Sequence, residues 1–279
     1  MIRDTSLGAK LWITAVWAVV GFFVINVLAM IATVVLSSVG TRWLGTWLPE
    51  AFTTRWYLAA WQEFQLSHVL LVTFQIVFMV VILSGLLGVT AAYAIARRNF
   101  PGKRLVMFIF LLPLLVPPIT FGIPLATVLY KFGVGGTFWG VVLANLVPTV
   151  PFVILVMIPF IEQIDPKVEA AARVFGAGTF RLFIHVLLPM LLPGILASLL
   201  LVLVRTVAMF ELTFLTAGPT SQTLVVALYY SVFAAGVRAV QSIDAMAVIY
   251  MVTTLVWLLV ALRFVNPTQI VARPKQISH

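Results

Sequence analysis

Residues 162–189 read EQIDPKVEAAARVFGAGTFRLFIHVLLP, a charge-bearing insert between two long uncharged stretches. Asp165 followed by Pro166 is a helix-start signal: an aspartate oxygen accepts the orphan amides of a first turn, and proline lacks only a donor that the turn leaves unused. Glu169 to Phe175 is good helix former, Gly176 and Gly178 break the helix, and Thr179 is placed to cap a second helix ending before Pro189. The segment is predicted to be a compact helical hairpin, a rigid projection suited to docking more than to catalysis.

The chain on either side has the composition of a protein that lives in lipid. Its 279 residues are 63% hydrophobic and 9% charged, with a mean hydropathy of +1.16, far outside the range of soluble domains. The charges cluster and leave uncharged stretches at Leu11 to Thr41, Phe64 to Ala96, Leu105 to Tyr130, Phe132 up to Glu162, Leu182 to Val204, Leu212 to Val237 and Ala245 to Leu262. A membrane-crossing helix needs about 20 apolar residues, and the Leu212 stretch is interrupted early by Gly218-Pro219-Thr220-Ser221.

Counting cations chooses between six and seven spans, because cytoplasmic loops carry the Lys and Arg excess. Six spans with both termini inside put Arg3, Lys10, Arg97, Arg98, Lys103, Arg104, Lys167, Arg173, Arg181, Arg263, Arg273 and Lys275 in the cytoplasm, against Arg42, Arg55, Lys131 and Arg238 outside. That is twelve against four, whereas seven spans give ten against six. Six spans is the reading. The first stretch is longer than a signal-peptide core and no cleavage site follows it cleanly, so it is kept as a membrane helix. Trp43, Trp47, Trp56, Tyr57 and Trp61 mark an interfacial connection after it.

Pro113, Pro117, Pro118 and Pro124 in the third stretch, and Pro148, Pro151 and Pro159 in the fourth, predict broken or kinked helices. Irregular backbone at membrane depth is tolerated where it packs in protein or lines a wet cavity, which favours a transport pathway over a simple anchor. Arg205 and Glu211 fall in the fifth span, where an ionisable group costs roughly 3 kcal/mol unless it faces protein or water. On one continuous helix they point to different sides. Two readings stand: substrate or gate contacts, or ion pairs with a neighbouring helix or subunit.

Other chemistries are excluded or unsupported. With no cysteine there is no thiol catalysis, iron–sulfur cluster or disulfide framework, and His68, His185 and His279 are too far apart for a local metal motif. The net charge of +9 sits beside apolar segments and reads as topology, not as nucleic-acid binding. No H-E-x-x-H or G-x-S-x-G motif supports an intramembrane enzyme. A channel or scaffold working without ATP stands as a reading of another class.

The hairpin resembles the coupling loop of permease subunits from binding-protein-dependent ABC importers, whose pattern is Glu-Ala-Ala, then Gly, then a hydrophobic residue before Leu-Pro. Ala171, Gly176, Leu188 and Pro189 fall at the family spacing, and the resemblance covers roughly residues 66–264, including ARRNFPGKR after the second span. One position departs: the family's glutamate site holds Ala170, and Glu169 stands one residue earlier, which turns the carboxylate by about 100° around a helix. The resemblance implies an all-α membrane fold of six helices, a five-helix type I importer core at 66–264 preceded by an extra helix within 1–65 and followed by a cytoplasmic tail, 265–279.

It further implies that the hairpin, through Glu169, Ala170, Ala171, Gly176, Ala177, Leu188 and Pro189, inserts in a groove of a cytoplasmic ATPase and transmits its closure. The chain has no GxxxxGK[ST] loop, so ATP and Mg are expected in the partner and no cofactor in this chain. The implied assembly is a bacterial inner-membrane complex of two different permeases, two ATPases and a periplasmic binding protein. For the solute, the polyamine branch tends to place adjacent acids where this sequence has Ala208 and Met209. Arg205 instead suits a hydroxylated or anionic solute, because its guanidinium donates several hydrogen bonds. The expected cargo is a sugar, glycoside or acidic sugar derivative, with a polyamine as the alternative. Tyr130, Asn145, Tyr229 and Tyr230 are candidates for polar or stacking contacts, with interfacial or core roles open as well.

Overall fold

The computed structural model describes residues 7–43, 46, 48–233 and 239–264. The readings placed on Arg3, Trp47, Arg238, Arg273, Lys275 and the tail 265–279 lie outside those residues. In chain order the elements are α1 (Leu7–Val39), α2 (Arg55–Glu63), α3 (Leu66–Arg97), α4 (Lys103–Leu115), α5 (Pro118–Lys131), α6 (Phe138–Glu162), α7 (Pro166–Val174) and α8 (Thr179–Leu182). A π turn (Phe183–Leu187) leads into α9 (Leu188–Val207), followed by α10 (Glu211–Thr216), α11 (Leu224–Phe233) and α12 (Val240–Phe264). The described residues are helical apart from turns and one isolated bridge, Gly40 to Phe52. Helices let each apolar segment satisfy its own backbone in lipid.

Among the described residues, five helical runs are long and apolar enough to cross a membrane, and the bent pair α4–α5 makes a sixth. The bend of 103° falls at Val116-Pro117, where Pro118 lacks a donor and Pro117 disfavours helix in the residue before it. The pair is one broken span: Arg97 at the end of α3 bonds the Ile164 carbonyl just past α6, so these ends share a level. Lys103 follows shortly after Arg97, and Lys131 comes shortly before Phe138 at the far end of α6, so the chain from 103 to 131 runs from one level to the other. Among the described residues, the Leu212 to Val237 stretch yields α10 and α11, of 6 and 10 residues, both too short to span.

The fourth stretch departs from expectation. Despite Pro148, Pro151 and Pro159, α6 is one helix of 25 residues, and two side chains, one within it and one at its C-terminal cap, bond carbonyls one turn back. Thr149 Oγ1 donates to the Asn145 carbonyl at 2.8 Å, and Gln163 Nε2 donates to the Pro159 carbonyl at 3.1 Å.

The chain divides into two compact units, residues 1–65 with 231–251, and 66–230 with 252–279. In the first, Trp56 Nε1 donates to the Gly40 carbonyl at 2.7 Å, and Ser37 and Ser242 hydroxyls donate to Asp244 and Glu63 at 2.5 and 2.9 Å. In the second, α3, α6 and α9 pack into the core, with Ile76, Val80, Val153, Ile154, Met157 and Leu191 buried. Small residues allow this approach, as membrane helix pairs require. A Cβ on Gly88 would stand 2.6 Å from Val153, and one on Gly194 would stand 2.6 Å from the Phe160 ring.

Candidate functional site

The hairpin forms as two turns of helix around a glycine reversal. Asp165 caps α7 by accepting from the Lys167 amide at 2.9 Å, with Pro166 as its first residue. Gly176 adopts φ +82°, and the amides of Gly176 and Ala177 bond the carbonyls of Arg173 and Ala172 at 2.9 and 3.0 Å. This is a Schellman end, which needs a left-handed residue after the last turn. Two details of the second arm differ from the expectation. Gly178, not Thr179, occupies the cap position of α8. The helix also does not stop before Pro189: residues 179–207 form one continuous helical run, because the π turn lets the Leu188 amide bond Phe183 across an extra residue. That shift accommodates a proline whose ring would otherwise crowd the carbonyl four residues back.

The seven hairpin candidates do not share one face. Ala170, Ala171, Gly176 and Pro189 are exposed, while Ala177 and Leu188 are half-buried. Glu169 is 6% exposed and turned into the chain. Its Oε1 accepts from Arg97 Nε at 2.6 Å, its Oε2 from the Tyr93 hydroxyl at 2.7 Å, and Arg173 Nη2 lies 3.9 Å from Oε2. Arg97 Nη2 also donates to the Ile164 carbonyl at 2.7 Å. One carboxylate thus ties α7 to the ends of α3 and α6. The outer surface is left to Val174, Phe175 and Phe180, which are 85%, 90% and 79% exposed, with the exposed cations Lys167, Arg173 and Arg181 around them. Tyr93 and Arg97 are partners of the hairpin that the sequence reading missed or used only for topology. A signal was present: no acid occurs between Glu63 and Glu162, so a cation buried at the end of α3 needs a carboxylate from a distant segment.

The intramembrane candidates fall in two places. The helix assumed to carry both Arg205 and Glu211 ends at Val207, and Glu211 opens the separate helix α10 after a break at Ala208–Phe210. The helical-wheel relation expected between them therefore does not apply. Both are half-buried, and among the described residues neither makes an ion pair. The Arg205 guanidinium lies 5.6 Å from the centre of the Phe152 ring on α6. Nearby on the same helix, Asn145 is fully buried and its Nδ2 donates to the Val141 carbonyl at 2.9 Å and to Thr213 Oγ1 of α10 at 3.3 Å. Its Oδ1 is buried without a hydrogen-bond partner among the described residues.

An aromatic cluster, missed as a unit by the sequence reading, surrounds the start of α10. Phe210 and Phe214 lie 4.8 and 5.1 Å from the Tyr229 ring, and Tyr230 stands 5.7 Å from Phe214. Tyr130 is elsewhere, covering the α5–α6 turn, where a Cβ on Gly135 would collide with its ring. That turn is stitched to the end of α10: the Gly136 amide bonds the Thr216 carbonyl at 2.9 Å, and Ser221 Oγ donates to the Gly136 carbonyl at 3.1 Å. Among the described residues no group of acids and histidines could hold a metal ion.

Comparison with known proteins agrees with this architecture. Residues 84–269 match the family described as binding-protein-dependent transport system inner membrane component. The molybdenum transport system permease protein ModB of Haemophilus influenzae is 35% identical over 160 residues, 51% of this chain and 69% of that protein. The diacetylchitobiose uptake system permease protein NgcG of Streptomyces coelicolor is 33% identical over 54% of this chain and 50% of its own length. The trehalose transport system permease protein SugB of Mycobacterium tuberculosis is 29% identical over 70% and 71%. In fold, the chain is similar to a subunit of a bacterial ABC transporter involved in import of the acidic polysaccharide alginate, with a TM-score of 0.77, 16% identity, and coverage of 95% of this chain and 100% of that one. Matched over most of its 279 residues, the chain belongs to the binding-protein-dependent transport system inner membrane component family.

Proposed function

We propose that this chain is one of two different permease subunits of an ATP-driven importer for a sugar, glycoside or acidic sugar derivative delivered by a periplasmic binding protein. The observation that carries the solute class is the break at Ala208–Phe210 that follows the fifth span, where Arg205, Glu211 and the Phe210, Phe214, Tyr229 and Tyr230 rings lie on or beside one discontinuity. Aromatic faces pack against the apolar faces of sugar rings, while a guanidinium and a carboxylate bond hydroxyls. The hairpin docks with an ATPase that binds ATP and Mg, and both termini lie in the cytoplasm.

Transport runs by alternating access. Closure of the ATPase dimer pushes the hairpin, and the Glu169–Arg97 joint carries that movement to α3 and α6, which pack on α9. Ala170, Ala171, Gly176, Val174, Phe175 and Phe180 form the docking side, and Glu169 serves the joint.

A small oxyanion is the second reading, favoured by Arg205, which has no ion-paired carboxylate among the described residues, and by the similarity to a molybdenum permease. The test is ATP hydrolysis by the reconstituted complex, titrated with binding protein loaded with neutral sugars, carboxylated sugars, molybdate or polyamines. Stimulation by a sugar class supports the reading. Stimulation by molybdate alone moves the assignment to oxyanions, and stimulation by polyamines alone overturns both.

A further inference from the structure

Between α3 and α4 the chain turns through Arg98-Asn99-Phe100-Pro101-Gly102, and Asn99, Phe100, Gly102, Lys103, Arg104 and Met107 line a recess of about 480 Å3. Arg98 and Arg104 are exposed and Lys103 is half-buried. Among the described residues none of the three makes an ion pair. The local sequence offers no counter-ion, since no acid lies between Glu63 and Glu162. The carboxylate held at this end of α3, Glu169, is engaged by Arg97.

The surroundings say what kind of anion fits. The preceding residue, Arg97, is fixed beside the base of the hairpin, so the recess sits where α3 leaves the membrane. Directly after it, α4 exposes Leu105, Phe108, Ile109 and Leu112, at 62%, 55%, 53% and 40%. These positions follow the i, i+3, i+4, i+7 spacing of one helix face. Cations over an apolar stripe match the two ends of one molecule, a phosphate head and a hydrocarbon tail.

We propose that this elbow binds an anionic phospholipid, its phosphate held by Lys103 and Arg104 with Arg98 nearby, and an acyl chain lying along the α4 stripe. The placement in the cytoplasmic leaflet rests on the topology proposed above, but the preference for an anionic lipid does not.

The experiment uses the intact complex, released from membranes into detergent and examined by native mass spectrometry after incubation with phosphatidylglycerol or phosphatidylcholine. The wild type should retain phosphatidylglycerol in preference, and each of Arg98→Gln, Lys103→Gln and Arg104→Gln should weaken retention by about fivefold, the weight of one cation near an anionic surface. Arg98→Lys with Arg104→Lys should keep the preference. Where one glutamine variant does not assemble, the other single variants carry the same test.

Equal retention of the two lipids, or unchanged phosphatidylglycerol in all the glutamine variants, overturns the proposal. So does displacement of the lipid by millimolar inorganic phosphate, which would mark a site for the free anion. Loss of the ATPase from the glutamine variants with lipid retention intact would assign the cations to the protein interface instead.

Discussion

Replacing Arg97 with Met should detach the hairpin from the membrane helices by an amount that the geometry bounds. The substitution removes the 2.6 Å bond to Glu169 and the 2.7 Å bond to the Ile164 carbonyl. It leaves Glu169, whose side chain is 8% exposed, with the Tyr93 hydroxyl at 2.7 Å and Arg173 at 3.9 Å. Arg173 is 60% exposed, and so solvent-screened a partner contributes well under 1 kcal/mol. Removing one member of a buried pair costs about 3–5 kcal/mol, but the joint lies at the base of a surface hairpin, so the carboxylate escapes to water when α7 lifts. The lower end, about 3 kcal/mol, is the expected cost of local opening, or roughly two decades in the opening constant. Hydrogen exchange at the amides following the first turn of α7 reads this directly and should accelerate about 100-fold, with the core of α6 unchanged. Glu169→Gln keeps one acceptor oxygen for Arg97 and offers an amide N–H that the Tyr93 hydroxyl can accept, and should cost about half as much. The double variant Arg97→Met with Glu169→Met should cost at least 1 kcal/mol less than the sum of the two Met singles, because a coupled pair is not additive. Unaltered α7 exchange in Arg97→Met, or strict additivity in that cycle, would refute the joint.

Other expectations are simpler to state. Gly176→Val meets open space but must hold φ +82°, which costs a β-branched residue about 1–2 kcal/mol or more; transport should be lost while the complex still inserts, and full uptake would remove Gly176 from the coupling surface. Gly88→Leu places side-chain atoms where even a Cβ is 2.6 Å from Val153, so the yield of folded protein should fall severalfold, and normal yield and melting would contradict the α3–α6 packing. Arg205→Met should abolish solute-stimulated ATP hydrolysis and leave basal hydrolysis in place; an unchanged stimulation curve would make Arg205 structural. Phe214→Ala removes a ring from the cluster at 5.1 Å from Tyr229 and should raise the half-saturating concentration for a sugar about 10-fold but not for an oxyanion, a contrast that uptake assays at matched expression can exclude.

What depends on local composition and on the bilayer is legible in the residues themselves. Long uncharged stretches become helices because lipid offers the backbone no other partner, and the cation count selected six spans without reference to any contact. The hairpin was equally legible, since Asp165-Pro166 and Gly176 act through caps and turns within a few residues of themselves. Tertiary structure decided what depends on distant partners. Glu169 reads locally as a first-turn acid on a docking helix, but pairing with Arg97 and Tyr93, far earlier in the chain, turns it inward. The prolines of α6 predict interruption, yet that helix, packed in the core, stays whole, while Pro117 and Pro118 bend the preceding span by 103°. The helix break at Ala208–Phe210 carries no Pro or Gly to announce it. A helical wheel assumes a continuous axis, so the surroundings of Arg205, Glu211 and the aromatic cluster emerge only once α6, α9, α10 and α11 are placed together.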